Sequence, residues 1–291
     1  MKSASSTTIA LLETGGPFYM ADLYTFTLGS GIVLHFTDAD QSISWGGNTY
    51  LSGVVVLTRA KVSMKIGLDT DTMTVTLSAP ATTTVPSGLF AGQSYLGAIC
   101  NGWLDGATIS VNRFVAGSSS DFSEAGIVSV FAGRVGNVDI ARTVATIEVR
   151  SYLELLDMQL PRSLYQAGCS HSLYDSGCSL NRAAFGIGAY IASGVLNSTT
   201  YTILGTYPNG KFNQGNLVFQ SGSLAGASVN IKLSVGNVLT LSYPNLSLPA
   251  IGDYLLIYPG CDKQMTTCSG TFNNLVHFKG QPFVPPPEAL L

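Results

Sequence analysis

Short runs in which apolar and polar residues alternate, separated by glycine, proline, serine and asparagine, constrain this chain more than any other feature. The runs KVSMKI (61–66), TMTVTL (72–77), GATISVNRFV (106–115) and TVATIEVR (143–150) follow a period of two in the first half. GNLVF (215–219), SVNIKLSV (228–235), NVLTLSY (237–243) and DYLLIY (253–258) are strand-like runs in the second. A period of two sends successive side chains to opposite faces, which builds half-buried strands and not helices. In LYTFTLGSGIVLHFTDAD (23–40), Gly29-Ser30 sits between two such runs, and its glycine is expected to take the positive φ of a two-residue hairpin turn. The breaker-rich stretches 79–88 and 116–126 read as loops.

The pattern changes once. In RSYLELLDMQLPR (150–162), Ser151 and Glu154 are spaced as a capping box, Leu153, Leu155, Leu156 and Leu160 form a helical face, and Pro161 stops the run. The chain is therefore expected to be mainly β. An antiparallel barrel or sandwich over 1–155 is joined by a short helix to a cysteine-cluster β domain over 156–291. The proline-rich end, 280–291, cannot build a ladder, because proline lacks the N–H donor.

A chain of 291 residues with 46% hydrophobic residues buries a core without needing cross-links. Charged residues make up only 11%, against roughly 25% in an ordinary soluble domain. Such a surface suits burial against protein partners. A net charge of -3 supplies no basic field for sequence-specific grip on nucleic acid, although it does not forbid passive passage of DNA. The N-terminal apolar run is too brief for a secretory signal, and AFGIGAYIASGVL (184–196) falls short of the roughly 20 residues of a membrane helix. No membrane insertion is expected. The expected compartment is the cytosol, where grouped thiols more often hold metal than pair as disulfides.

Four of the five cysteines fall in two pairs: Cys169 and Cys178 with eight residues between them, and Cys261 and Cys268 with six. Structural zinc knuckles use two to four intervening residues, so these loops are wide for one ion and better suited to a larger cargo such as a [4Fe-4S] cluster. Gly168, Gly177 and Gly260 immediately precede three of the cysteines, and Gly270 follows the fourth by two. Lacking a Cβ, they would let backbone amides approach a bulky anionic group, while Lys263, Arg182 and Lys279 would offset its charge. Spacing alone leaves three readings open: an iron-sulfur cluster, zinc, or ordinary thiols and disulfides. Cys100, in the apolar YLGAICNGW, reads as a buried small hydrophobe.

At these residues the chain resembles a known family. PGCDKQMTTCSGTFNNLVHFKGQPFVP and CSHSLYDSGC are similar to the signature of phage tail-tip proteins that include the lambda tail tip protein L and the hub protein of gene transfer agents. FTDADQSISWGGNTY, GLDTDTMTVTL and FAGRVGNVDI resemble the N-terminal part of the same family. Gln281 stands where an apolar residue is more usual. The resemblance implies a structural role in the virion, at the tail tip or baseplate, after assembly in the bacterial cytoplasm. It implies a homotrimeric hub between the distal tail protein ring and the central fibre or tail spike protein, near the tape measure protein, lining the path of the phage DNA. It also implies a [4Fe-4S] cluster on Cys169, Cys178, Cys261 and Cys268. Zinc at the same thiols is the alternative cofactor, and a host iron-sulfur redox or hydrolytic enzyme the alternative of another class.

Plainer roles suit the other conspicuous residues. His171 and His277 are expected beside the thiols and not as ligands. Asp38 and Asp40 end a strand through side-chain turns more readily than they bind calcium. Trp45 and Trp103 are expected under loops or as partner anchors. Cys169 with His171 is weak as a catalytic pair, because nucleophile and base usually come from separate segments, and no G-x-S-x-G, H-E-x-x-H or P-loop motif occurs. No catalytic residue and no enzymatic activity is therefore expected.

Overall fold

Alternation becomes strands wherever one face finds cover. The computed structural model describes residues 6–63, 70–86, 90, 92–118, 122, 125–157, 165–245 and 247–283. The chain divides into two units, 1–158 and 159–291, and is mainly β in both.

In chain order the first unit carries α1 (Ser6–Glu13), β1 (Tyr19–Thr27), β2 (Val33–Thr37), β3 (Ile43–Trp45), β4 (Asn48–Tyr50), β5 (Val56–Arg59), β6 (Thr72–Ser78), α2 (Tyr95–Cys100), β7 (Thr108–Ala116), β8 (Gly126–Ile140) and β9 (Val144–Arg150). Seven of these strands form one antiparallel sheet in the order β2-β1-β7-β8-β9-β6-β5. One face presents Tyr24, Phe26, Ile109, Val111, Met73, Val75, Leu77, Ile147 and Val149, all buried. α2 packs on that face, with Tyr95 edge-on to Phe36 at 6.1 Å and to the buried Trp103 at 5.5 Å. The hairpin β3–β4 covers the other face at Ala21, Leu23 and Phe114, and Trp45 meets Phe114 at 5.5 Å. Both tryptophans thus serve as packing groups.

Among the described residues the sheet is closed by charged side chains and not by a strand ladder. Asp22 on β1 accepts from Arg113 of the adjacent β7 at 2.9 and 3.2 Å. It also pairs at 2.5 Å with Arg59 of β5, the strand at the far end of the sheet order. The sheet therefore curls until its ends come within side-chain reach. Asp38, just past β2, accepts from the Asp22 backbone N–H at 2.7 Å, and burial pushes its carboxyl up from the ordinary aspartate range. That is a bond to the neighbouring strand, 16 residues away, and not the local side-chain turn expected for it.

The second unit holds β10 (Ile187–Leu196), β11 (Thr200–Ile203), β12 (Asn216–Phe219), β13 (Ser228–Val235), β14 (Val238–Leu241), β15 (Tyr254–Tyr258) and α3 (Met265–Gly270). The six strands close into an antiparallel barrel in the order β10-β11-β14-β13-β12-β15. Alternate residues fill its interior, among them Ile191, Tyr201, Leu217, Phe219, Ile231, Leu239, Leu255 and Ile257.

Four local expectations are corrected. The β1–β2 hairpin turns through Gly29-Ser30-Gly31, and the positive φ, +85°, belongs to Gly31. Gly29 is glycine for another reason: a Cβ there would lie 2.8 Å from the Asp105 carbonyl oxygen. No capping box forms at Ser151. Residues Tyr152–Leu156 make a 3-10 turn without a side-chain cap bond, because Glu154 pairs with Arg150 at 2.7 Å instead. Leu153, Leu155 and Leu156 are exposed there, while Leu160 and Pro161 lie outside the described residues. Over 61–63 the run KVSMKI forms only a bridge from Ser63 to Thr72, and 64–66 lie outside the described residues. Finally, Cys100 ends α2 exposed.

Candidate metal centre

Cys169 and Cys178 lie on the loop that precedes β10, Cys261 follows β15 directly, and Cys268 sits on α3. The structure brings all four to line one cavity, with His171, Lys263, Asn274 and His277 and the apolar Leu173, Leu180, Phe272 and Phe278. Main-chain bonds hold the two segments together. The Cys169 N–H donates to Lys263 O at 2.9 Å, and the Gln281 N–H donates to Gln166 O at 2.8 Å. Asn274 Nδ2 donates to Cys178 O at 2.6 Å, and Lys263 Nζ donates to the His171 carbonyl.

Three sulfurs receive N–H donors. The Lys279 backbone N–H points at Cys169 Sγ at 3.4 Å, Asn274 Nδ2 at Cys178 Sγ at 3.7 Å, and the Lys263 backbone N–H at Cys261. The Cys268 thiol itself donates to Asn274 O at 3.3 Å. Burial pushes the Cys261 thiol up, against the lowering effect of the Lys263 N–H and ammonium. Burial also raises Cys268, and Cys261, Cys169 and Cys178 add to the effect. Thiols so placed favour the protonated form unless a cation shares the cavity. Among the described residues, no group of three or more His, Cys, Asp or Glu side chains stands ready to hold a metal ion. The four thiols face one space without forming a ligand set as they stand.

Two of the four glycines beside the cysteines are required by packing. A Cβ on Gly177 would overlap the His171 ring, and one on Gly260 would overlap the crossing backbone of Asn213 and Gln214. Around Gly270 there is open space, and at Gly168 the nearest atom, Lys263 Cβ, is at an ordinary 3.5 Å. Of the three expected cations, only Lys263 lines the thiol cavity with its side chain; Lys279 contributes its backbone, and Arg182 lies over the Tyr258 ring at 4.2 Å. His277 Nδ1 is hydrogen-bonded to Asn274 Oδ1 at 2.8 Å. The backbone donors and Asn274, which link both cysteine segments, were not singled out in the sequence.

The donor chemistry fits a thiolate-bound group: four sulfurs, apolar walls, and N–H donors of the kind that tune such sulfurs. No helix among the described residues is long and apolar enough to cross a membrane.

Comparisons with known proteins match both halves of the chain, the first match running past the unit boundary at 158. A family model described as "Baseplate hub protein, N-terminal attachment domain" matches residues 5–181, and one described as "Phage conserved hypothetical protein BR0599" matches residues 210–288. Each span contains one cysteine pair. Among solved structures, a chain in "Virion of native gene transfer agent (GTA) particle" is similar, with a TM-score of 0.75 at 22% identity, over 99% of this chain and 95% of that one. No curated protein matches. The hub model spans more than half of the length, and the chain belongs to the baseplate hub protein family.

Proposed function

We propose that this chain, a structural component of a phage-type baseplate hub, is stapled in its second half by a [4Fe-4S] cluster on Cys169, Cys178, Cys261 and Cys268. One observation carries the reading: cysteines from segments separated by 82 residues line a single cavity, three of them under N–H donors. Such a cluster supplies a covalent tie between the two segments and a centre able to exchange electrons. Side-chain rotation would have to draw the sulfurs inward, since no ligand set stands ready. The tie would add to the stability that the backbone bonds provide.

The role is mechanical and not catalytic. In this proposal residues 1–155 serve as the hub attachment domain and 156–291 as the cysteine-bearing domain. Three copies form a ring between the distal tail ring and the central fibre or spike protein, next to the tape measure protein, with DNA passing through. The charged content of 11% and the net charge of -3 support a surface mostly covered by protein around a channel that does not grip DNA.

Anaerobic purification with iron, sulfide and zinc analysis tests the staple. About four iron and four sulfide per chain, with broad visible absorption, are expected. Stoichiometric zinc in a colourless sample overturns the cluster. Cys261→Ser is expected to bring iron to background while the barrel keeps its far-ultraviolet dichroism. Immunolabelling of purified particles is expected at the tail tip, and absence from particles removes the hub role.

A further inference from the structure

A second cavity, of about 260 Å³, opens beside the barrel, lined by Leu173, Tyr174, Arg182, Gln214, Gly215, Asn216, Ser228, Asn230, Tyr258 and Pro259. Three adjacent strands build its floor. Asn216 of β12 stands opposite Asn230 of β13 on one side and Tyr258 of β15 on the other, so two amides and a phenol form a row across the sheet. Ser228 Oγ and Asn230 Oδ1 both bond Asn216, at 2.9 and 3.2 Å, and this fixes the row.

Above the row lies Arg182. Its guanidinium is held from two sides, over the Tyr258 ring at 4.2 Å and by a 2.6 Å bond from Nη2 to Asn216 Oδ1. A guanidinium has five N–H donors. Among the described residues no carboxylate pairs with it, and no acidic residue lines the cavity. The guanidinium stands exposed at the cavity, and its planar fork suits a carboxylate.

The wall holds a further orphan. Tyr174 has φ +67°, a left-handed conformation that a bulky residue adopts at a cost, and its ring sits between Phe185 and Tyr258 at 6.1 and 6.4 Å. Its hydroxyl is buried with no partner among the described residues. That hydroxyl is shut off from solvent and out of a ligand's reach, so Tyr174 offers the cavity only its ring. The remaining lining is neutral amide, hydroxyl and aromatic edge, which matches a ring of hydroxyls better than a compact doubly charged group. The size falls just below the roughly 300–1,000 Å³ of small-molecule pockets and suits one ring.

We propose that this cavity binds a carboxylate-bearing sugar, with Arg182 on the carboxylate, Asn230 and Gln214 on the hydroxyls, and the aromatic wall against the ring. The site makes the barrel a point of contact with acidic polysaccharide, a role beyond hub assembly that does not depend on metal at the thiols.

Saturation-transfer NMR titrations of the full chain with glucuronate, glucose, acetate and phosphate test it. Saturable glucuronate binding is expected, with glucose and acetate each weaker by at least about tenfold, as loss of one charge-assisted contact or of the hydroxyl set requires. Arg182→Gln is expected to remove the preference for glucuronate over glucose. Asn230→Ala, at an exposed position whose loss leaves the fold intact, is expected to weaken both sugars. No saturable glucuronate binding by the wild-type chain overturns the proposal, as does equal binding of glucose. Acetate or phosphate binding as tightly as glucuronate reduces the site to an anion hole and overturns it too. An unchanged preference in a folded Arg182→Gln protein does the same.

Discussion

Asp22→Asn removes the charge that joins the two ends of the first sheet while keeping the side chain's shape. Side-chain exposure is 6% for Asp22, 16% for Arg59 and 34% for Arg113. Removing one member of a buried ion pair typically destabilises by about 3–5 kcal/mol, because its partner stays buried and unpaired. Arg113 is a third exposed, so water takes over much of its charge and its share is closer to that of a surface pair, about 1 kcal/mol at most. The nearby Asp38 also remains to offset Arg113. The expected loss is therefore near the low end, about 3 kcal/mol, most of it through Arg59. With a urea slope of about 2 kcal/mol/M, the unfolding midpoint falls by about 1.5 M. Both tryptophans of the chain, Trp45 and Trp103, lie in the first unit, so tryptophan fluorescence in urea follows the affected part. A midpoint shift below about 0.3 M refutes the argument, as do additive effects of Asp22→Asn and Arg59→Ala in a double-mutant cycle, since coupled pairs depart from additivity by about 0.5–3 kcal/mol.

Two contrasts test other parts of the reasoning. Gly260→Ala, whose Cβ meets immovable backbone, is expected to destabilise the second unit by about 3 kcal/mol, whereas Gly270→Ala, facing open space at the end of α3, shifts stability by no more than about 0.5 kcal/mol; thermal melts by circular dichroism distinguish them. Burial lowers the His35 pKa, so the unfolded chain binds the proton more readily; the stability this contributes is full above the ordinary value near 6.5 and is lost as pH falls below it. The urea midpoint read by tryptophan is expected to drop between pH 7 and lower pH in the wild type and to drop less in His35→Gln; equal slopes would contradict this.

Strands with one covered face were legible in the residues alone. β6, β7, β9 and β12 to β15 coincide with the alternating or apolar runs, because burial on one side and solvent on the other is what that pattern encodes. β10 was hidden. Its glycines Gly188 and Gly194 interrupt the alternation where Tyr254 and Thr202 crowd the strand, so the run reads as a mere apolar stretch. The hairpin β3–β4 carried a readable signal, Gly46-Gly47 with φ +60° and +81°, which suits a tight two-residue turn. α2 is only six residues long, capped by Ser94 Oγ, and too short to show a helical period. The Asp22 clasp joins residues 37 and 91 positions apart, and no local pattern announces that.

At the thiols, spacing pointed to two pairs with a shared cause, and the structure places both pairs on one cavity. What surrounds the sulfurs was not legible. Backbone donors such as the Lys279 N–H exist in every residue but proline and leave no mark in composition. The reason for Gly177 and Gly260 also lay out of view, since it depends on which ring or strand crosses behind them.

The barrel of the second unit has no terminal strand, for β10 bonds both β11 and β15. Among the described residues no barrel strand stands at an edge to offer a free ladder to a stray chain. A neighbour that meets the barrel wall therefore reads its side chains, which leaves mating specificity there open to change by point substitution without strand exchange.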